Sequence, residues 1–272
     1  MQVEGEWTEL ADGVFARRHG ELDLTTGLLV GTERCLVIDT RGDLEQGAEL
    51  AAAVRSVTSL PWTVVYTHAH FDHAWGGEAF LPTHVWGHRD CAHELLTQSE
   101  TVRAEWIAHY RGEGKFDTAD ALARTTLVPP DRTVTGLAEL PLGGRTAVLL
   151  HPGQAHTGHD IVVHARDAGV LFAGDVVEHA EHGFGVDSFG SDTHLASWPD
   201  TMDVLLGLEP DVVVPGHGNP VDAAFVRRHR DGLRELVTLR DALSRHRLTR
   251  QEVLAASPYP ADVTEAALGG QL

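Results

Sequence analysis

The sequence predicts an α+β fold in which two β-sheets pack face to face and helices cover their outer sides. Short β-rich runs alternate with helical patterns, and this style occurs in both halves of the chain. The 42% hydrophobic content is enough for a sizeable core. No linker divides the 272 residues into independent parts, so we predict a single domain over residues 1–272.

The first half is predicted to open with a small sheet. Glycine, threonine and acidic turn residues separate three short β-rich runs, which we predict as consecutive strands at Val14–Arg17, Gly27–Val30 and Cys35–Asp39. Asp43 then stands at the N-cap position of a helix, with Gln46 three residues later. The apolar spacing carries this helix to about Val57.

A nearly unbroken apolar run follows Pro61. Such a run over 62–67 is typical of a strand that is buried on both faces. After a histidine-rich turn at 68–73 we predict a short strand around 83–86, a helical region over 90–110 and an irregular excursion over 111–135. Residues 90–135 are therefore interpreted as a helical insertion.

The second half repeats the pattern of the first. Four further β-rich runs are predicted as strands at Arg145–Leu150, Ile161–His164, Val170–Ala173 and Asp211–Val214. A helix over about 194–208 precedes the last of them. The tail, 222–272, is predicted to be helical, with a long arginine-rich helix over 222–243 and a second helix near 249–256.

Charge and hydropathy limit the partners. The 40 acidic residues exceed the 21 basic ones, and a net charge of −19 repels nucleic-acid phosphates and anionic membranes. No stretch reaches the roughly 18 to 20 apolar residues of a membrane span. The opening residues MQVEGEWTEL carry acids where a secretory signal has a basic residue. We expect a cytoplasmic protein with a small-molecule substrate and neither a nucleic-acid nor a membrane partner; the oligomeric state is not predicted.

The numbers of cysteines and histidines favour a metal site built from histidine rather than cysteine. Two cysteines, Cys35 and Cys91, exclude a disulfide framework and any four-cysteine metal site. Histidine is abundant, with 18 residues beside the single lysine Lys115. Imidazole is the commonest metal ligand in proteins, so these histidines are examined as candidate ligands.

The segment that carries the chemistry is residues 68–73, His-Ala-His-Phe-Asp-His, directly after the buried strand. A turn at a strand end is expected to bring His68 and His70 to one ion, and Asp72 and His73 to a second ion. The same six residues also fit a polar loop of solvated histidines. The prediction therefore depends on partners elsewhere in the chain.

Three further candidate ligands adjoin predicted strands. His156 follows the strand at 145–150, Asp175 follows the strand at 170–173, and His217 lies in a Pro-Gly-His-Gly segment after the last strand. Each of these alone also fits an ordinary turn. Together with 68–73 they supply five imidazoles and two carboxylates, a set that suits two divalent first-row ions.

These motifs, in this order, resemble those of the metallo-β-lactamase-fold hydrolases. The resemblance covers about residues 14–220 and implies an αββα sandwich of two mixed β-sheets with the site at one edge. It implies that one ion is held by His68, His70 and His156, that the other is held by Asp72, His73 and His217, and that Asp175 bridges both.

The resemblance also implies a reaction. It is the hydrolysis of a small carbonyl substrate by a hydroxide that bridges two ions, with Asp72 as the catalytic residue that orients it. Aspartate rather than cysteine at position 175 favours glyoxalase II-like thioester, ester or lactone hydrolases over lactamases. We expect Zn²⁺, with Mn²⁺ or Fe²⁺ as alternatives. Two alternatives stay open: a mononuclear iron oxygenase similar to the persulfide dioxygenases, and metal binding for structure or storage. The roles of His159 and of the 178–194 loop are not predicted.

Overall fold

The computed structural model describes residues 5–179 and 183–269. Two mixed β-sheets lie face to face with helices on their outer sides, which confirms the predicted fold class. The core between the sheets contains side chains from both, among them Leu36, Val65, Phe172 and Val214. These residues are nearly inaccessible to water, and burial of each large apolar side chain contributes about 1.5–3 kcal/mol.

The first sheet contains seven strands, and their spatial order is their order in the chain. They are β1 (Trp7–Ala11), β2 (Val14–Arg18), β3 (Thr25–Val30), β4 (Cys35–Ile38), β5 (Trp62–Val65), β6 (Val85–His88) and β7 (Arg132–Val134). Pairs from β1 to β4 are antiparallel, and pairs from β4 to β7 are parallel. Because β4 and β5 are parallel, the residues that follow each strand meet at one edge of the sheet.

The second sheet contains five strands: β8 (Leu137–Pro141), β9 (Thr146–Leu150), β10 (Val162–Ala165), β11 (Val170–His179) and β12 (Val212–Gly218). Their order is β12-β11-β10-β9-β8, and only the β11–β12 pair is parallel. The long β11 and β12 run together towards the edge where β5 of the first sheet ends. A backbone bond of 2.7 Å from Ile161 N–H to the Thr67 carbonyl joins the two sheets there.

Helices cover both outer faces. In the first half they are α1 (Leu44–Val57), α2 (Phe71–Ala74), α3 (Arg89–Thr97), α4 (Ser99–Gly112) and α5 (Phe116–Arg124). In the second half they are α6 (Trp198–Gly207), α7 (Ala223–Ser244), α8 (Arg250–Ala256) and α9 (Ala261–Ala267). Asp43 accepts a hydrogen bond from Gln46 N–H and caps α1 as predicted. Within the described residues, no helix is both long and apolar enough to cross a bilayer.

Several sequence predictions of local structure were wrong. Residues 111–135 are not an irregular excursion, because they contain α5, which buries Ala119 and Leu122 in the core beside the first sheet, and β7. Strands β1 and β8 were missed because they are edge strands with largely accessible side chains and a weak alternating pattern. The helix predicted from 194 begins at Trp198.

Candidate metal centre

The edge shared by the two sheets brings together all seven predicted ligands. Residues 68–73 leave the end of β5 and turn into α2, which carries Asp72 and His73. His156 lies in the connection from β9 to β10, and Asp175 and His217 lie within β11 and β12. The chain was expected to turn before the last two, but both strands continue through them as a parallel pair.

The first ligand group consists of His68, His70, His156 and Asp175, whose donor atoms all lie within 4.8 Å of one another. His156 Nε2 is 2.9 Å from His70 Nδ1. Asp175 Oδ2 is 3.5 Å from His156 Nε2 and 3.6 Å from His68 Nε2. This is the set that the resemblance assigned to one ion together with the bridging residue.

The second ligand group consists of Asp72, His73 and His217, again with donor atoms within 4.8 Å. His73 Nε2 and His217 Nε2 are 3.4 Å apart. Asp175 also reaches this group, because its Oδ1 is 3.2 Å from His73 Nε2 and its Oδ2 is 3.3 Å from His217 Nε2. Asp175 therefore lies between the two groups.

In each of the five imidazoles, the ring nitrogen that faces away from the centre makes a hydrogen bond to a neighbouring residue. The outer partners are Thr67 Oγ1 for His68, Asp192 for His70, Asp39 for His73, the Ser188 carbonyl for His156 and the Leu22 carbonyl for His217. A carbonyl or carboxylate oxygen only accepts, and the Thr67 hydroxyl donates its proton to Asp39, so each of these oxygens accepts from the outer ring nitrogen, which carries the proton. In the neutral ring, the inner nitrogen then presents a lone pair to the centre.

The lone pairs of the ligand nitrogens face one another, and this arrangement suits the binding of cations. Two lone pairs 2.9 Å apart, on His156 Nε2 and His70 Nδ1, repel each other unless a positive charge lies between them. In addition, His68 Nε2 and Asp175 Oδ1 are buried and have no hydrogen-bond partner among the described residues. Each such atom costs about 1–3 kcal/mol if it stays unsatisfied. Imidazole nitrogens and carboxylates are ligands that Zn²⁺ and related ions accept.

The pKa shifts of the residues in the centre also indicate that positive charge is stabilised there. Burial opposes ionisation of Asp175, but His73, His217 and His68 hold its pKa well below the usual range. Burial also opposes protonation of His217, yet Asp175 and other carboxylates raise its pKa to about 10. By contrast, burial lowers the pKa of His156 to about 4. The carboxylates thus draw protons to imidazoles, and a metal ion would compete with those protons.

Three of the seven candidate ligands are partly accessible to solvent. The exposed fractions are 30% for the His70 side chain, 15% for His217 and 13% for Asp72. Asp175, His68, His73 and His156 are buried. Among the candidate ligands, solvent therefore reaches the centre past Asp72, His70 and His217.

Tight backbone packing places Asp175. A Cβ added at Gly216 would lie 1.8 Å from Asp175 Oδ1, and one at Gly174, where φ is +53°, would lie 2.8 Å from Thr67 Cβ. Glycine is the only residue that allows this approach of β12 and β11 to the ligand segments. The Pro-Gly-His-Gly segment is thus shaped by its contact with the Asp175 carboxylate as well as by His217.

Sequence reasoning missed the residues behind the ligands. Asp39 was noted only as the end of a strand, and Asp192 and Ser188 lie in the 178–194 loop, whose role was left open and whose residues 180–182 are outside the described part. Leu22 acts through its backbone carbonyl, for which no side-chain signal exists. His159, also left open, is not among the ligands: its Nε2 accepts from Ala69 N–H at 3.2 Å, between the first two ligands.

The fold and the candidate metal centre together are those of a hydrolase superfamily. Residues 20–217 match the family described as the metallo-beta-lactamase superfamily, and the chain belongs to it. This confirms the resemblance seen in the motifs. The superfamily uses divalent metal ions, and the His and Asp groups described above are this chain's candidate ligands.

Curated relatives carry the names of several activities. The chain is 29% identical over 211 residues to the acyl-coenzyme A thioesterase MBLAC2 of Gallus gallus, which covers 74% of each chain. It is 29% identical over 218 residues to the 2,4-dinitroanisole O-demethylase subunit alpha of Nocardioides sp. (strain JS1661), covering 79% of this chain and 56% of that one. It is 25% identical to the probable metallo-hydrolase YqgX of Bacillus subtilis over 75% of this chain and 89% of that one.

Solved structures share the fold. A metallo-beta-lactamase from Pontibacter korlensis has a TM-score of 0.67 at 21% identity, covering 84% of this chain and 98% of that one. The sec-alkylsulfatase Pisa1 from Pseudomonas sp. has a TM-score of 0.77 at 16% identity, covering 98% of this chain and 50% of that one. At these identities the similarity defines the architecture alone.

Proposed function

We propose that this protein is a binuclear metallohydrolase that cleaves a small carbonyl substrate, namely a thioester, an ester or a lactone. The observation that carries the proposal is the position of Asp175, whose carboxylate lies within 3.6 Å of ring nitrogens from both ligand groups. A carboxylate so placed is able to bridge two ions. We also retain the prediction of a cytoplasmic location.

The seven ligands are assigned to two ions. His68, His70 and His156 would hold the first ion, Asp72, His73 and His217 the second, and Asp175 both. We propose Zn²⁺, which accepts mixed nitrogen and oxygen ligands, with Mn²⁺ or Fe²⁺ as alternatives. When bound, divalent ions would supply Lewis acidity, which would polarise a carbonyl group and lower the pKa of a coordinated water molecule to about 7.

Asp72 is the carboxylate with access to the substrate. Its side chain is 13% exposed, and its Oδ2 is 3.4 Å from His217 Nε2. Asp175 is buried between the two groups. We therefore propose that Asp72 orients a water molecule and accepts its proton, whereas the role of Asp175 is to bind both ions.

The preference for carbonyl substrates has two supports. The relative from Gallus gallus is named as an acyl-coenzyme A thioesterase and is similar over three quarters of both chains. The centre holds an aspartate at position 175, where the best-known lactamase subclass has a cysteine. Thioesters are therefore the first class to test, and β-lactams the last.

The test combines metal analysis with a substrate panel. The purified protein is assayed against acyl-coenzyme A thioesters, aryl esters, lactones and β-lactams, with and without oxygen, and its metal content is measured. We expect two ions per chain and oxygen-independent hydrolysis of at least one carbonyl class. His70→Ala should lose metal, while His84→Ala, which alters an exposed histidine paired with Asp131, should behave like the wild type.

Other outcomes would overturn the proposal. One iron per chain with oxygen consumption on a persulfide substrate would identify an oxygenase instead. Two bound ions without hydrolysis of any carbonyl class would refute the substrate assignment and favour structural or storage binding.

A further inference from the structure

The loop of residues 183–195, between β11 and α6, contacts two imidazoles of the first ligand group. Asp192 Oδ2 is 2.9 Å from His70 Nε2. The Ser188 carbonyl accepts from His156 Nδ1 at 3.1 Å. Both bonds involve the ring nitrogen that faces away from the centre, so the loop determines which nitrogen of each ring faces inwards.

The loop is tied to the body of the protein next to these contacts. The Ser188 hydroxyl donates to the buried carboxyl group of Glu178 at 2.7 Å. The Thr193 hydroxyl donates to the backbone carbonyl of His156 at 3.2 Å. The Ser188 carbonyl and the chain around His156 are therefore fixed relative to each other.

The second ligand group is supported from elsewhere. His73 Nδ1 bonds to Asp39 at the end of β4 at 2.8 Å. His217 Nδ1 donates to the Leu22 carbonyl, between β2 and β3, at 2.7 Å. No residue of the 183–195 loop, all of which the structure describes, hydrogen-bonds to His73 or His217.

We propose that Asp192 and Ser188 make the 183–195 loop a positioning element of the first ion alone, through His70 and His156; His68, the remaining imidazole of that group, is instead supported by Thr67. This inference rests on the proposed function, since it takes two bound ions as given. Loss of an outer hydrogen bond frees the imidazole to rotate or to change tautomer. Loss of such a partner typically lowers metal affinity about 10–100-fold.

Asp192 offers a clean perturbation with a matched control. Asp192→Ala removes the carboxylate from His70, and Asp192→Glu tests for rescue. Asp187→Ala removes a carboxylate from the same loop at an exposed position. Gly190→Ala provides an independent test, because a Cβ there would lie 2.6 Å from Asp192 Oδ1 and would displace the carboxylate without removing its charge.

The readout is Zn²⁺ affinity, measured by competition with a chromophoric chelator, and the absorption spectrum of the Co²⁺-loaded protein. In Asp192→Ala we expect one of two Zn²⁺ equivalents to bind about 10–100-fold more weakly and the other within about twofold of the wild type. Gly190→Ala should change in the same direction, and Asp187→Ala should match the wild type. Double variants test the assignment to the first ion. In His217→Ala, which weakens the second site, adding Asp192→Ala should lower the affinity for the remaining Zn²⁺. In His156→Ala, which weakens the first site, adding Asp192→Ala should leave the affinity for the remaining Zn²⁺ unchanged.

The outcomes separate this inference from the proposed function. Equal weakening of both equivalents, or no change in either, would overturn the inference while two bound ions uphold the function. A wild-type protein that binds no Zn²⁺ and no Co²⁺ would overturn both.

Discussion

Asp39 allows a sharp test of how the second ligand group is held. This buried carboxylate accepts from Thr67 N–H at 2.7 Å through Oδ1. Through Oδ2 it accepts from the Thr67 hydroxyl at 2.9 Å and from His73 Nδ1 at 2.8 Å. Asparagine has the same shape but replaces one oxygen by an NH₂ donor. Whichever way the amide turns, Asp39→Asn points that donor at Thr67 N–H or at His73 Nδ1–H.

The expected effect of Asp39→Asn depends on which of the two groups faces the new NH₂ donor. A buried donor left without an acceptor costs about 1–3 kcal/mol. Alternatively, His73 moves its proton to Nε2, which removes the lone pair that faces the centre. Loss of an outer partner lowers metal affinity about 10–100-fold, or about 1.4–2.7 kcal/mol. The first route lowers the free energy of unfolding, and the second lowers metal affinity. Through the second route we expect Asp39→Asn to weaken one Zn²⁺ equivalent, the one that His73 would hold, about 10–100-fold.

Chelator competition measures this loss directly, and Asp43→Asn is the control. Asp43 is also buried and lies four residues further on, but it only caps α1, and asparagine is an equally good cap. Its variant should keep the Zn²⁺ affinity and the melting temperature of the wild type. Wild-type affinity at both sites in Asp39→Asn, or an equal loss in Asp43→Asn, would refute the reasoning.

Three further predictions concern catalysis, packing and pH. Asp72→Ala should lower kcat about 10²-fold or more while at least one ion per chain stays bound; a near-normal rate in steady-state assays would remove Asp72 from its role. Gly216→Ala should lower metal content after dialysis, since its Cβ would lie 1.8 Å from Asp175 Oδ1; unchanged stoichiometry would contradict the packing described above. Burial lowers the pKa of His229 from 6.5 to about 4, so the stability that its neutral form contributes is present above pH 6.5 and is lost as the pH falls towards 4. His229→Gln should therefore flatten the fall in unfolding free energy between pH 7 and 4.5, measured by urea denaturation; an unchanged slope would exclude this histidine as the cause.

The seven ligands were predictable because each is a side chain of the right chemistry next to a strand. Parallel pairing of β4 with β5 and of β11 with β12 brings the segments that carry them to one edge. Their roles as ligands stay a prediction until metal is measured. The region 111–135 was harder to predict. Helix α5 has only nine residues, and its burial depends on contacts with α4 that the local pattern does not contain.

The outer partners could not be predicted for a physical reason. Asp192 meets His70 across 122 residues of sequence, and Leu22 meets His217 across 195. One of these contacts uses a backbone carbonyl, and Leu22 has the unusual φ of +55°, which no feature of its side chain favours. Such contacts are properties of the assembled sandwich rather than of any local segment.

Both candidate ion positions combine the two halves of the chain. In the first ligand group, His68 and His70 follow a strand of the first sheet. His156 lies in a connection between two strands of the second sheet, and Asp175 lies within a strand of that sheet. In the second group, Asp72 and His73 come from the first half and His217 from the second. An ion at either position would therefore link the two sheets, and its binding free energy would add to the stability of their packing. Residues 68–73 alone come from one half of the chain and cannot link the two sheets. The chemistry of this segment therefore depends on the complete sandwich.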